Sequence, residues 1–116
     1  ATSVARFFAL LAGEGELDGV RLLSRERVNN CLTPRPDTDK VDVAGGNVRL
    51  VSNGGFWLAA PGVVGRGRIL SHPGLGSSIG WADLDNRLAV AVCHNRHGLA
   101  YEKPLAAAMR RAFGVA

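Results

Sequence analysis

The stretch Leu88-Ala89-Val90-Ala91-Val92-Cys93 alternates large and small apolar side chains, and no other feature constrains the fold of this chain as tightly. Successive residues of a β-strand point to opposite faces of a sheet, so Leu88, Val90 and Val92 fill one face while Ala89, Ala91 and Cys93 leave the other flat. A flat face lets a helix approach closely. Ser77 to Ala82 is a second strand candidate, and Asp83-Leu84-Asp85-Asn86-Arg87 between the two reads as the five-residue polar turn of an antiparallel hairpin. Asp83 and Asp85 are assigned to that turn. Cys93, inside the apolar run, is expected to be a small core residue.

The remaining elements follow from shorter patterns. Val4, Phe7, Phe8 and Leu11 recur at i, i+3, i+4 and i+7, which predicts a helix from about Val4 to Ala12 with Thr2 or Ser3 as its cap and Gly13 and Gly15 at its end. Glu16 to Gly19 reads as a tight turn before Val20-Arg21-Leu22-Leu23. Ser24 then caps a second short helix, with Glu26 in its first turn, Val28, Cys31 and Leu32 on its buried side and Pro34 stopping it. Pro34 to Gly46 is polar and reads as a loop. Val48 to Val51 and Gly55 to Ala60 are strand candidates around an Asn53-Gly54 turn, Pro61 to Gly67 a glycine-rich connection, and Arg68 to Ser71 another strand. Pro104 suits the first turn of a last helix, whose Leu105, Ala108, Met109 and Ala112 share one side and are expected to cover the sheet. Trp57 and Trp81 are expected in the core.

Helices first, then antiparallel strands, then a closing helix predict an α+β fold, an antiparallel sheet covered by helices. Residues 1–46 supply the helices and a loop, 47–95 the antiparallel strands and 99–114 the closing helix. A sheet of three or four strands with one helical layer leaves its second face open, yet these strands lack a polar alternate set. An exposed apolar sheet or helix surface is therefore expected.

Composition removes several classes of function. With 116 residues, 47% hydrophobic and 21% charged, the chain suits a small globular domain and neither a disordered nor a disulfide-dense one. No apolar run exceeds six residues, so no membrane span of the roughly 18 residues required is present. The net charge is +4, and twelve of the 14 basic residues are Arg. They are spread from Arg6 to Arg111 among acidic residues, without interleaved aromatics, so a solvated arginine-rich surface is the simpler reading and nucleic acid is not an expected partner. His94 and His97 lack a third ligand at useful spacing, and the glycines at 74, 76 and 80 precede a strand rather than a helix, so neither a metal nor a nucleotide cofactor is expected. Ser77 and Ser78 have no neighbouring base to make either a nucleophile. Two cysteines, Cys31 and Cys93, permit one bridge at most.

Ser71-His72-Pro73-Gly74-Leu75-Gly76-Ser77-Ser78-Ile79-Gly80-Trp81-Ala82-Asp83, followed by Asn86 to Val92 and Asn95-Arg96, resembles the C-terminal end of the serine β-lactamase-like superfamily. That group includes class C β-lactamases, D-alanyl-D-alanine carboxypeptidases and related esterases. The esterase branch often carries His-Pro-Gly where β-lactamases carry Lys-Thr-Gly. Thr2 to Leu11, Gly15-Glu16-Leu17-Asp18-Gly19 and Leu22-Leu23-Ser24 resemble the same family's segment ahead of its last strands, so the resemblance covers nearly the whole chain.

The resemblance implies the C-terminal part of a β-lactamase/transpeptidase-like fold, with the His72 strand along one wall of an active site. It puts His72 where the lysine of Lys-Thr-Gly would stand, orienting substrate or supporting the proton network, and gives Gly74 the role of leaving room for substrate. The backbone N–H of Leu75 corresponds to an oxyanion-hole donor, a group typically worth ~3 kcal/mol to the transition state, while Pro73 has no N–H to offer. Pro73, Gly74 and Asn95 are the expected substrate contacts.

The family's nucleophile motif, Ser-x-x-Lys, and its Tyr-x-Asn or Tyr-x-Ser motif are not found here: no Ser has Lys three residues on, and Tyr101 is followed by Glu102 and Lys103. In the family both precede this region. The chain, which opens on Ala1, is thus expected to be a C-terminal portion, inactive alone, of a serine ester hydrolase that works through an acyl-enzyme. Its expected partners are a small ester or acyl substrate and either the missing N-terminal part or a second copy. The cytoplasm is the expected location. The alternative is a non-catalytic binding module, or an inactive remnant, that keeps the wall without its chemistry. His-Pro-Gly favours esters over β-lactams, because imidazole attracts a substrate carboxylate less strongly than an ammonium does.

Overall fold

A computed structural model of the protein describes residues 1–41, 51–60, 63–64, 67–74, 78–95 and 102–114. Helix α1 (Thr2–Ala12) leads into a hairpin of β1 (Glu16–Leu17) and β2 (Val20–Arg21), then helix α2 (Arg25–Asn30). A two-stranded ribbon of β3 (Ala59–Ala60) and β4 (Val63–Val64) precedes an antiparallel sheet of β5 (Ile69–Pro73), β6 (Ile79–Asp83) and β7 (Leu88–Val92), and helix α3 (Glu102–Ala112) follows. The fold is α+β.

The local chemistry is visible in each junction. Leu17 pairs with Val20, leaving Asp18 and Gly19 as a two-residue turn in which both φ angles are positive, 51° and 77°. This is the conformation that Asp-Gly favours and that matches the twist of the flanking strands. The Ser24 side chain accepts a hydrogen bond from the Arg27 N–H at 3.1 Å and so caps α2. At the start of α1 the expected side-chain cap is absent: Ala1 is the N-cap and Thr2 already lies in the helix. The turn between β6 and β7 is shorter and less polar than expected. Asp83 belongs to β6 and pairs with Leu88, and Leu84 is buried because it packs with α1. Asp83 Oδ1 and Oδ2 accept from the Asn86 N–H and side-chain amide, and Asp85 Oδ2 accepts from the Arg68 N–H. Within the glycine-rich connection Val63–Val64 forms a strand, and Val51 and Trp57 make isolated bridges rather than full strands. The expected strand residues 48–50 lie outside the described residues.

Two apolar clusters sit on the two faces of the β5–β6–β7 sheet. Ile69, Ile79, Trp81, Val90 and Val92 form one, with Leu88 and Met109 of α3 against it. Leu70, Ala82 and Ala89 meet Phe8, Leu11 and Ala12 of α1 in the other, where Val28 of α2 joins them. The flat face therefore receives the first helix, not the last. The apolar side chains of the sheet are buried on both faces, and among the described residues exposed large apolar side chains lie on or beside the helices and hairpin, at Val4, Phe7, Val20, Leu22, Leu105 and Phe113, and at Val41. Of the α3 side expected to be buried, Met109 packs on the sheet while Leu105, Ala108 and Ala112 stay exposed. Among the described residues no helix is long and apolar enough to cross a membrane.

Arg68 ties three segments together. Its guanidinium bonds Glu14 Oε1 at 3.1 Å and also Asn29 Oδ1, while its backbone N–H bonds Asp85.

Candidate active site

Sheet register builds the site row by row. His72 pairs with Gly80 and Gly80 with Ala91, so these three lie side by side across the sheet. One step along, Gly74 donates its N–H to Ser78 O at 2.6 Å, and Ile79 pairs with Val92, which brings Gly74, Ser78 and Cys93 into the next row. At the outer edge Trp57 and Ser71 exchange backbone hydrogen bonds of 2.8 and 2.9 Å, which sets Phe56 beside His72. All these rows lie on the α1 face, because residue parity is shared with Leu70 and Ala82.

The packing of that face explains why a cleft opens there. Gly80 has no side chain, and Phe8 of α1 takes the space: a Cβ at Gly80 would lie 2.5 Å from Phe8 Cδ2 and 3.0 Å from Val4 Cγ1. Val4 and Phe7 of the same helix border the space beside it. His72, Gly74, Ser78 and Cys93 then edge an open cleft of about 590 Å³ that Phe7 and Phe56 flank. This volume suits a small organic ligand.

Ser52 positions the Phe56 wall. It is fully buried, its hydroxyl accepts the Phe56 N–H at 3.2 Å, and its own N–H donates to Phe56 O at 2.8 Å. Phe7, Phe8 and Phe56 then cluster. Phe7 and Phe56 lie 6.4 Å apart between centroids with planes 23° apart, and Phe8 meets Phe7 edge-on at 5.3 Å.

The expected site residues separate. His72 is exposed and lines the cleft with Gly74. Gly74's N–H is engaged by Ser78 O, so it is not a donor to substrate. Pro73 pairs with Ile79 and, by strand alternation, lies on the opposite face; it is not among the cleft residues. Asn95 is exposed beyond β7 and does not border the cleft. Leu75 lies outside the described residues, as do Ser77, His97 and Tyr101. Cys93, expected in the core, is exposed: it lies one residue past the end of β7 and edges the open cleft. Cys31 and Cys93 are both free. Trp81 is a core residue and Trp57 is half-buried.

Sequence reasoning did not single out Phe7, Phe56, Ser52 or Cys93 as site residues. For Phe56 a signal existed, since an antiparallel strand next to Ser71-His72 has to bring its own residues beside His72; for Ser52 none did.

No family model matches the chain. It is 37% identical over 100 residues to "Esterase/beta-lactamase LipL" of Mycobacterium tuberculosis, an alignment covering 83% of this chain and 21% of that protein. Its fold matches the crystal structure of a family VIII carboxylesterase with a TM-score of 0.68 and 26% identity, over 82% of this chain and 25% of that chain. The chain thus spans about a fifth of the first relative's length and a quarter of the second's.

Proposed function

We propose that this chain, part of the serine β-lactamase-like superfamily that both similarities support, forms one wall of an ester-hydrolysing active site. One observation carries the reading: His72, in the His-Pro-Gly segment, opens onto a cleft whose described lining holds no Lys, Arg, Asp or Glu. Such a lining suits a neutral ester better than a substrate with a carboxylate, which would lose hydration without gaining a counter-ion.

The chain acts as the C-terminal portion, and sequence outside these residues supplies the nucleophilic serine. That serine attacks the ester carbonyl, the alcohol leaves with a proton, and water then cleaves the acyl-enzyme to return the serine and release the acid. His72 hydrogen-bonds the substrate or the leaving alcohol beside the reacting carbonyl. Gly74 admits the substrate to the strand, and the Leu75 N–H donates to the oxyanion. Pro73 and Asn95, which lie off the cleft, have no part in this scheme.

The full-length protein is expected to hydrolyse p-nitrophenyl butyrate with a higher kcat/KM than a chromogenic cephalosporin. A preference for the cephalosporin overturns the ester assignment. His72→Ala is expected to lower ester kcat/KM roughly 100-fold, the lower range for a positioned proton-transfer group, without altering Tm. Unchanged turnover removes His72 from the mechanism. The alternative is a binding wall without chemistry. Ligand binding by a full-length protein that hydrolyses neither ester nor cephalosporin would establish it.

A further inference from the structure

Beside the cleft lies a smaller notch of about 200 Å³, lined by Arg27, Asn30, Cys31, Asn53 and Gly54. Its chemistry is the reverse of the cleft's: a guanidinium and two carboxamides, with no acidic side chain in the described lining. The arginines near it in sequence are committed elsewhere. Arg21 faces Glu16, Arg25 and Arg68 face Glu14, and Arg35 faces Asp37. The side chains of Arg27, Asn30 and Asn53 make no hydrogen bond or ion pair among the described residues. Nor does the end of α2 oppose an anion with bare carbonyls. The Arg27 and Val28 carbonyls accept from the Cys31 N–H, Asn29 O accepts from Leu32, and Asn30 O from Thr33. The Asn53 N–H donates to Thr33 O at 2.8 Å, which holds the second carboxamide against this helix end. Gly54 borders both the notch and the cleft. A Cβ there would lie 2.8 Å from Cys31 Sγ and 3.2 Å from Phe56 Cδ2, so the border between the two spaces carries no side chain of its own.

We infer that Arg27, Asn30 and Asn53 form a binding site for the carboxylate of a small monocarboxylic acid, and that the acid released by ester hydrolysis occupies it and inhibits the reaction. The source of the acid rests on the ester reading above; the site itself does not. A guanidinium offers two parallel N–H groups to the two oxygens of a carboxylate, and the two amides donate to the lone pairs that remain. One cation balances one negative charge. A phosphate dianion or a dicarboxylate would bring a second charge with no described counter-ion in the notch and would lose hydration uncompensated. A neutral ester gains nothing from Arg27, so the notch separates product from substrate. An acid held there keeps its carbon end at Gly54, on the edge of the cleft, where it obstructs the next ester.

The test titrates the full-length protein with sodium butyrate, butyramide and inorganic phosphate by calorimetry, and measures butyrate as an inhibitor of p-nitrophenyl butyrate hydrolysis. The wild type is expected to bind butyrate more tightly than the other two and to be inhibited competitively. Arg27→Gln, which keeps helix propensity, is expected to weaken butyrate binding about ten-fold and to raise its Ki by the same factor, with butyramide binding and Tm unchanged. Arg27→Lys keeps the charge but loses the fork, is expected to fall between the two, and reads the same site should Arg27→Gln fail to fold. Equal butyrate affinity in the wild type and a folded Arg27 variant overturns the site, as does tighter binding of phosphate than of butyrate. Arg27-dependent binding without inhibition overturns the inhibitory role. Arg27-dependent binding in a protein that hydrolyses no ester upholds the site and overturns the ester reading.

Discussion

The two faces of the β5–β6–β7 sheet are packed by opposite means. On one, the strands carry their own bulk: Ile69, Ile79, Trp81, Val90 and Val92 fill the space and Met109 of α3 lies against them. On the other, the strands offer Gly80, Ala82 and Ala89, and the bulk comes from Phe8 and Leu11 of α1. A face that supplies its own bulk is filled wherever the strands run. A face that borrows it depends on where the helix side chains lie, and the cleft beside His72 is bordered by Val4, Phe7 and Phe8 of that helix. The contrast teaches that the site lies on the face where the strands carry small residues and the helix supplies the large ones.

The largest expected effect tests the self-filled face. Trp81 is 1% exposed, and Trp81→Ala should cost about 4 kcal/mol of stability, read by urea unfolding of the full-length protein. A cost below about 1 kcal/mol would mean that α3 or another element fills that face instead. Gly80→Ala comes next and tests the borrowed one. The added methyl collides with Phe8, so about 2 kcal/mol is expected, with KM for p-nitrophenyl butyrate altered as the N-terminal half of α1 shifts. A neutral result would show that α1 sits less tightly on the sheet than the structure describes. Ser52→Ala removes the acceptor of the half-buried Phe56 N–H and should cost about 1 kcal/mol by the same measurement. The smallest effect is at Arg6. Its 2.6 Å ion pair with Asp18 joins α1 to the hairpin, but both side chains are more than half exposed, so Arg6→Ala should change stability by no more than about 0.5 kcal/mol and by less in high salt.

The sequence was most legible where a local rule had no competitor. Ser24 caps α2 and Asp18-Gly19 turns the hairpin because each depends only on its immediate neighbours. The alternation in β7 correctly separates a bulky face from a flat one, since pleating alone dictates it. What it does not contain is which helix answers the flat face: α1 and α3 are both amphipathic, and the choice is a matter of tertiary docking. Periodicity put Phe7 and Phe8 on one stripe, but only the reach of the sheet decides that Phe8 is covered and Phe7 is not. The same limit misled the reading of Cys93, apolar in its run yet one residue past the end of β7. Of the candidate site, His72 and Gly74 were legible as part of a recognisable segment, whereas the aromatic side required long-range pairing between Trp57 and Ser71.

Phe8 belongs at once to the core and to the floor of the cleft, since it fills the vacancy at Gly80 and borders the same space as His72. Divergence at this site is therefore channelled. A change at Phe8 is expected to disturb the packing of α1 and the shape of the cleft together. Phe7 and Phe56 border the same space with more exposure, so a change there reaches the cleft with less loss of packing.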